Sequence, residues 1–354
     1  MIFVVNAGSS SLKVSLYRSD LTRLADGTIS NIGGNGTLKL DGVATTVTSD
    51  DHADALTQIQ AALASAGRDM DNVSAAAHRV VHGGAQLTAP ARLTPDVVQA
   101  IRDCIPLAPL HNPVNLAGID ALTAQRPDLP QFASFDTAFH ASNSEVTTRY
   151  AIPEAQHQAG IRRYGFHGMS YANMVHDFGD ALPDRLLAFH LGNGASLCAI
   201  KAGKSLATSM GYSPLAGLTM GTRSGDIDGA AVLRIAAELG IEATDKLLNK
   251  QSGLKGLAGD NDMKALLERD DDAARLAVSH FCYWAARHAG SAIVAMGGID
   301  AVAFTGGIGE NAAPIRDRIM QHLGFLGDLP VHVIEADEEK QIARDALALM
   351  GGTA

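Results

Sequence analysis

The sequence predicts an α/β protein made of two copies of one plan, and three stretches carry that expectation. The first is MIFVVNAGSSSLKVSLY at the start of the chain. Ile2 to Val5 is a β-rich apolar run, Asn6 to Ser11 a small polar turn, and Leu12, Val14 and Leu16 alternate with Lys13, Ser15 and Tyr17. That pattern reads as strand, tight turn, strand. A turn of Asn, Gly and three serines has little bulk, so backbone N–H groups and hydroxyls can close around a phosphate while Lys13 adds positive charge. A polar surface hairpin has the same pattern. The second stretch, Leu186 to Ile200, repeats the plan around Gly192, Asn193 and Gly194. Asn6 falls opposite His190 and Gly8 opposite Gly192, although the return strands match only after a one-residue slip. The third, Ala301 to Asn311, runs an apolar strand into a glycine-rich turn that can offer N–H groups to a nucleotide. Two strand-turn-strand loops, one in each half, imply a duplicated domain with a nucleotide in the cleft between the copies.

The remaining elements follow in order. Thr28 to Val47 mixes Gly and Asp with β-branched residues, as the further strands of a meander do, and Ala53 to Ala66 reads as a helix. Val73 to Gly84, VSAAAHRVVHGG, is an apolar strand with a basic, glycine-rich tip. Arg79 stands inside it, where an unpaired guanidinium would be costly, so it meets a carboxylate or a phosphate; a structural salt bridge satisfies the same demand. His78 and His82 stand four apart like some zinc ligands, but the segment is a strand without HEXXH, which counts against a metal site. Thr94 to Ile105 predicts a helix, and the three prolines of PLAPLHNP (Pro106 to Pro113) predict a rigid loop presenting His111 and Asn112. After a helix from Asn115 to Ala124, Asp136 follows a short apolar strand in QFASFDTAFH. Open α/β sheets present catalytic groups from that position, and a helix N-cap is the other use for an aspartate there.

In RRYGFHGMS, His167 lies between Phe166 and Gly168, where a packed core histidine is the usual occupant. Thr208 to Asp228 is long, rich in Gly and Thr, and nearly uncharged until Arg223 and Asp226; its low bulk suits close approach to a ligand, with Arg223 as the strong anion-binding group. Helices are predicted from Ala230, over Asp262 to Glu268 and over Asp272 to Met296. A last strand, Val331 to Ile334, precedes Asp337, Glu338, Glu339 and a closing helix from Lys340 to Met350.

A chain of 354 residues predicts two domains with substantial cores. Its net charge of −10 counts against nucleic acid, whose backbone needs a basic face. The three cysteines, Cys104, Cys198 and Cys282, are far apart and lack CxxC spacing, so a reducing cytoplasm fits better than a disulfide framework. The N-terminus has no basic n-region, and the apolar region Ala289 to Ile308 is broken by Asp300 and glycines, so neither an export signal nor a membrane span is expected.

Taken together, NAGSSSLK, HRVVHGG, PLHNP, FDTAFH, YGFHGMS, HLGNGAS, MGTRSGDID and FTGGIGEN resemble the acetate and propionate kinase family nearly end to end. That family belongs to the superfamily of sugar kinases, actin and heat-shock ATPases. Butyrate kinases would be expected to lack the HRVVHGG and FDTAFH forms, which puts the resemblance on the acetate side. It implies duplicated ribonuclease-H-like (actin-like ATPase) domains, one formed by residues 1–137 with 338–354 and the other by 138–337. It also implies a cytoplasmic homodimer that moves the γ-phosphoryl group of ATP to a small carboxylate, acetate or propionate, with magnesium, for which manganese can substitute.

By motif position the resemblance implies the following roles. Asn6 and Glu338 would serve the magnesium site, with Glu339 as a neighbour that could take the second role. Ser9, Ser11 and Lys13 would face the phosphates, as would His190, Leu191, Gly192, Asn193 and Gly194. Arg79 and Arg223 would clamp the substrate carboxylate and the transferring phosphoryl group, with Asp136 the essential acidic residue and His167 the transition-state hydrogen-bond donor. Asp262, Met263 and Lys264 with Gly307, Ile308, Gly309, Glu310 and Asn311 would hold adenosine. Val81, Leu110, Phe166 and Pro214 would form the small apolar pocket for the acyl chain. The chain departs from the family in being shorter, in carrying Lys264 where an arginine is usual, and in carrying Ala207 and Ala216 where acidic residues are expected. A propionate kinase, or a non-kinase ATP-dependent binding protein of the same superfamily, are the rival readings. The latter would have no reason to keep HRVVHGG and FDTAFH.

Overall fold

The first hairpin forms with a turn tighter than the one expected. In the computed structural model, which describes residues 1–351, strand β1 (Ile2–Gly8) pairs antiparallel with β2 (Ser11–Tyr17), and only Ser9 and Ser10 lie between them. The meander continues through β3 (Arg23–Ser30), β4 (Gly34–Leu40) and β5 (Val43–Ser49). Strand β6 (Ala75–Val80) adds parallel to β1 on its other side, followed by β8 (Gln131–Phe135), with β7 (Ala91–Arg92) on the edge; the sheet order is β5-β4-β3-β2-β1-β6-β8-β7. Ile2 to Val5 is buried throughout because β1 is central, with Phe3 and Val5 in the core cluster that takes in Leu56, Ile59 and Leu63. Those three come from helix His52–Ser65, which starts where the Asp51 carboxylate accepts from the N–H groups of Ala53 and Asp54.

The second sheet has the order β11-β10-β9-β12-β13, from β9 (Arg185–Leu191), β10 (Ala195–Lys201), β11 (Lys204–Thr208), β12 (Ala301–Thr305) and β13 (Val331–Val333). Its pairing directions match the series β3-β2-β1-β6-β8: three antiparallel strands, then two added parallel to the first of them. The duplication read from the sequence is therefore present as topology. The slip between the copies has a simple cause. Asn6 pairs with Lys13 across the first hairpin and His190 with Ser196 across the second, so five residues separate that pair in the second hairpin against six in the first. Phe189 and Phe304 stack at 5.0 Å in this core, and helix Asp272–Met296 covers the sheet with a face that includes Ala274, Ala277, Val278, Phe281, Cys282 and Ala285.

The chain divides into two units, Met1–Phe139 with the segment from Asp337 onward, and His140–Ala336. Asp337 belongs with the first because its carboxylate pairs with Arg23 at 2.6 Å and accepts from the Tyr17 hydroxyl at 3.1 Å. Three local expectations need correction. Asn112 and Pro113 are not loop but the start of helix Asn112–Gln125, where a proline needs no N–H. The glycine-rich stretch after β12 is itself a helix, Gly306–Asn311, entered through Gly306 at φ +79°, where a side chain would come within 2.8 Å of the Leu191 carbonyl. The closing helix, Glu338–Leu349, starts early enough to carry both glutamates in its first turn. Cys104, Cys198 and Cys282 are buried free thiols, and among the described residues no helix is long and apolar enough to cross a membrane.

The closing helix also carries a pH-dependent cost. Asp345 accepts from the Ser134 hydroxyl at 2.7 Å on β8, and burial pushes its carboxyl up from 3.8 to about 6. The folded chain then binds this proton more tightly than the unfolded chain does, so stability falls as pH rises from about 4 to about 6. Asp345→Asn keeps an acceptor for Ser134 and is expected to raise stability at pH 7.5 by about 1–2 kcal/mol, with no gain below pH 4, read from denaturant midpoints at both pH values.

Candidate functional site

In the first unit, β6, β8 and the closing helix bring together the charged residues singled out in the sequence. Arg79 on β6 donates to Asp136, just past β8, through Nε at 3.1 Å and Nη2 at 2.7 Å, a bidentate pair in which Asp136 is 3 % exposed and Arg79 23 %. Glu338 stands 3.9 Å from Arg79 Nη1. Burial opposes the guanidinium charge, but the carboxylates of Asp136 and Glu338 outweigh it and raise its pKa further. Burial also pushes Asp136 up, against the pull of Arg79. The N-cap use of Asp136 is thus replaced by an ion pair.

Asn6 and Lys13, paired across the first hairpin, both reach Glu339, by Nδ2 at 3.2 Å and Nζ at 3.0 Å respectively. The structure therefore brings Asn6 to Glu339, not to Glu338. Burial works to raise Glu339, yet the Lys13 charge and the Asn6 hydrogen bond hold it below its ordinary value. Ser9 is exposed at the hairpin tip and Ser11 half-buried at its base.

The PLHNP motif supports this cluster from behind. Asn112 is fully buried and brackets His82, accepting from its N–H at 3.1 Å and donating to its carbonyl at 3.0 Å. Asn115 does the same between Val81 N–H and the Ala7 carbonyl. Val81 is buried and Leu110 is 48 % exposed. His78 is a core histidine bonded to Gln131 at 2.7 Å, and burial holds it and His82 at about 4. Among the described residues no three His, Cys, Asp or Glu side chains gather to hold a metal.

In the second unit the loop Gly192–Gly194 has its own ring of polar groups. His167 caps helix Gly168–Phe178 in a left-handed conformation, φ +59°, and is half-buried, not the packed core histidine it resembles in sequence. Its ring stacks on His190 at 4.1 Å. A carbon added at Gly194 would lie 3.3 Å from His167 Nε2 and 3.6 Å from Arg223 Nη1, so both atoms converge on that glycine. Arg223 Nη1 also donates to the Pro214 carbonyl at 3.3 Å. The loop carrying Arg223 is pinned by Leu254 N–H on the Met220 carbonyl, and Gly253, at φ +64°, has no room for a side chain beside the Arg223 carbonyl. Phe166 is 1 % exposed, so its side chain belongs to the core here.

A cavity of about 540 Å³ opens beside this loop, lined by Gly192, Asn193, Asp262, Met263, Lys264, Gly307, Ile308 and Asn311 as expected, together with Asn261, Leu267, Ala312 and Pro314, which the sequence reading missed. His190, Leu191, Gly194, Gly309 and Glu310, expected at the nucleotide, are not on its wall. Leu191 and Gly309 are buried, and Glu310 turns away to accept from the Ala336 N–H at 2.9 Å. A second cavity, about 450 Å³, shares no lining residue with the first; Ala207 and Ala216 are part of its wall, with Tyr150, Arg163 and His288.

The model of the acetokinase family matches residues 1–347. An acetate kinase of Pseudarthrobacter chlorophenolicus is 41% identical over 387 residues, covering 99% of this chain and 99% of the relative. Two solved structures agree closely. A propionate kinase from Francisella tularensis gives a TM-score of 0.93 at 35% identity, covering 97% of this chain and 98% of that one. The Porphyromonas gingivalis acetate kinase gives 0.90 at 33%, covering 99% of both chains. The chain is a member of the acetokinase family, with its actin-like ATPase fold.

Proposed function

We propose that the protein is an acetate kinase, which reversibly transfers the γ-phosphoryl group of ATP to acetate and gives acetyl phosphate and ADP. The observation that carries the reading is the convergence of His167 Nε2 and Arg223 Nη1 on the Gly194 loop, next to the cavity assigned to adenosine. Setting a carboxylate against a phosphate opposes two anions, and each unit-charge pair at about 4 Å costs roughly 4 kcal/mol at an effective dielectric of about 20. Arg79 is assigned to the acceptor carboxylate, with Asp136 fixing its direction through the bidentate contact. Arg223 and His167 stabilise the charge on the phosphoryl group in flight. A carboxylate nucleophile is already ionised, so Asp136 is a positioning group and not a base.

The donor set fits magnesium. The Asn6 amide donates to Glu339 and keeps its carbonyl oxygen as an acceptor, and Glu338, next to Glu339 in the first turn of the closing helix, would add a carboxylate; these few hard oxygens suit an ion that takes its other ligands from phosphate and water. Bound there, magnesium would neutralise the charge of the phosphate oxygens. We assign the acyl chain to Val81, and Val81→Ala is expected to raise kcat/KM for propionate relative to acetate by about three- to tenfold. A homodimer in the cytoplasm completes the reading. Helix Gly229–Leu239 has no buried side chain and exposes Leu233, so a sedimenting mass near twice 36.9 kDa is expected.

Trapping of acyl phosphate with hydroxylamine, in ATP and magnesium with acetate, propionate or butyrate, tests the whole proposal. More product from acetate supports it. The similarity to a propionate kinase structure favours a second reading, and more product from propionate would establish that one with the same mechanism. No product from any acid, with ATP still bound, would leave an ATP-dependent binding protein.

A further inference from the structure

His167 can donate through Nε2 only if the ring carries its hydrogen there, and the residues behind it determine that. Helix Gly168–Phe178 begins directly after His167, so Ser170 and Tyr171, three and four residues on, share its face. All three side chains meet the β9–β10 ladder at His190 and Ser196, which pair across it. Ser196 Oγ lies 2.9 Å from His167 Nδ1 and 2.5 Å from the Tyr171 hydroxyl, and Ser170 Oγ lies 2.8 Å from His190 Nδ1. Ser196 and Tyr171 are both fully buried.

The direction of the chain of hydrogen bonds can be worked out from its buried end. A phenol is a stronger hydrogen-bond donor and a weaker acceptor than an aliphatic hydroxyl, so the 2.5 Å contact runs from Tyr171 to Ser196. Burial raises Tyr171 well above its ordinary range, so it keeps that hydrogen. A serine hydroxyl has one hydrogen to give, and Ser196, accepting from Tyr171, gives its own to His167 Nδ1. Nδ1 is then the acceptor nitrogen, and the imidazole hydrogen resides on Nε2, the atom beside Gly194 and Arg223.

We propose that Tyr171 and Ser196 are positioning residues that lock His167 as the Nε2–H tautomer, aiming a donor at the phosphoryl group. The proposal rests on the role given to His167 above and extends it to Ser196 of HLGNGAS, which the motif reading left without a task, and to Tyr171, which directly follows YGFHGMS. The opposite tautomer would turn a lone pair toward phosphate oxygens, replacing attraction by repulsion. Groups that orient a functional histidine from behind typically carry a 10–100-fold effect, and Ser196→Ala is expected to lower kcat about tenfold with both KM values within about twofold. Tyr171→Phe keeps the buried ring and is expected to show a smaller loss of the same kind.

The test is nitrogen NMR of the full-length protein labelled with ¹⁵N-histidine, the His167 signals being assigned from His167→Gln. A pyrrole-type Nε2 and a pyridine-type Nδ1 are expected in the native protein, with mixed tautomers in Ser196→Ala and Tyr171→Phe. In a His167→Gln background, Ser196→Ala is expected to cost less than twofold in kcat. An Nδ1–H tautomer in the native protein, unchanged shifts in both variants, or an undiminished loss in the His167→Gln background would overturn the relay. A protein with the expected tautomer that forms no acyl phosphate would instead sink the kinase reading and leave the relay standing.

Discussion

Arg223→Ala is expected to lower kcat by about 10³-fold while leaving both KM values within about threefold. The argument starts from where the guanidinium is held. Its Nη1 lies beside the Gly194 loop and on the Pro214 carbonyl, and the segment carrying it is anchored by backbone bonds to helix Gly253–Ala258. A planar cation fixed in this way is oriented before any phosphate arrives, and such preorganised charge lowers the barrier without tightening the ground state. Arg223→Lys should recover little, because an ammonium cannot reproduce the fork geometry. Steady-state kinetics of acyl phosphate formation decide the matter: a kcat near the native value in Arg223→Ala would remove this residue from the mechanism.

The parts of this arrangement that were legible in the sequence are those encoded locally. Both strand-turn-strand loops and the long helix Asp272–Met296 declare themselves through periodicity and glycine placement. Partnership across the chain was not legible. Asn6 and Glu339 are separated by 333 positions, and nothing in DEE says which carboxylate will face which strand until the helix phase is fixed by burial. The glycine-rich FTGGIGEN misled for another reason. Glycine opposes helix in isolation, but close approach to Leu191 requires it at Gly306, and packing overrides propensity for the turns that follow. Ser196 and Tyr171 went unnoticed because each looks like ordinary strand or helix filling until Nδ1 of His167 is seen between them and the loop.

Asp136→Ala is expected to cost stability as well as rate, and the double variant separates the two effects. Removing Asp136 leaves the Arg79 guanidinium, 23 % exposed, without its bidentate partner, and breaking a buried pair in this way costs about 3–5 kcal/mol. The same change frees Arg79 to swing toward Glu338, now 3.9 Å away, so the acceptor carboxylate loses an aimed clamp and kcat should fall about 10²-fold. If the ion pair is the cause, Arg79→Leu combined with Asp136→Leu removes both charges and should be more stable than Asp136→Ala alone, though inactive. Denaturant midpoints at constant slope read the stability, and acyl phosphate formation reads the rate. Equal instability in the single and double variants would mean that Asp136 acts through packing and not through Arg79. Full stability of Asp136→Ala would mean that Arg79 is held by other groups, Glu338 being the nearest, and the positioning role would pass to that glutamate.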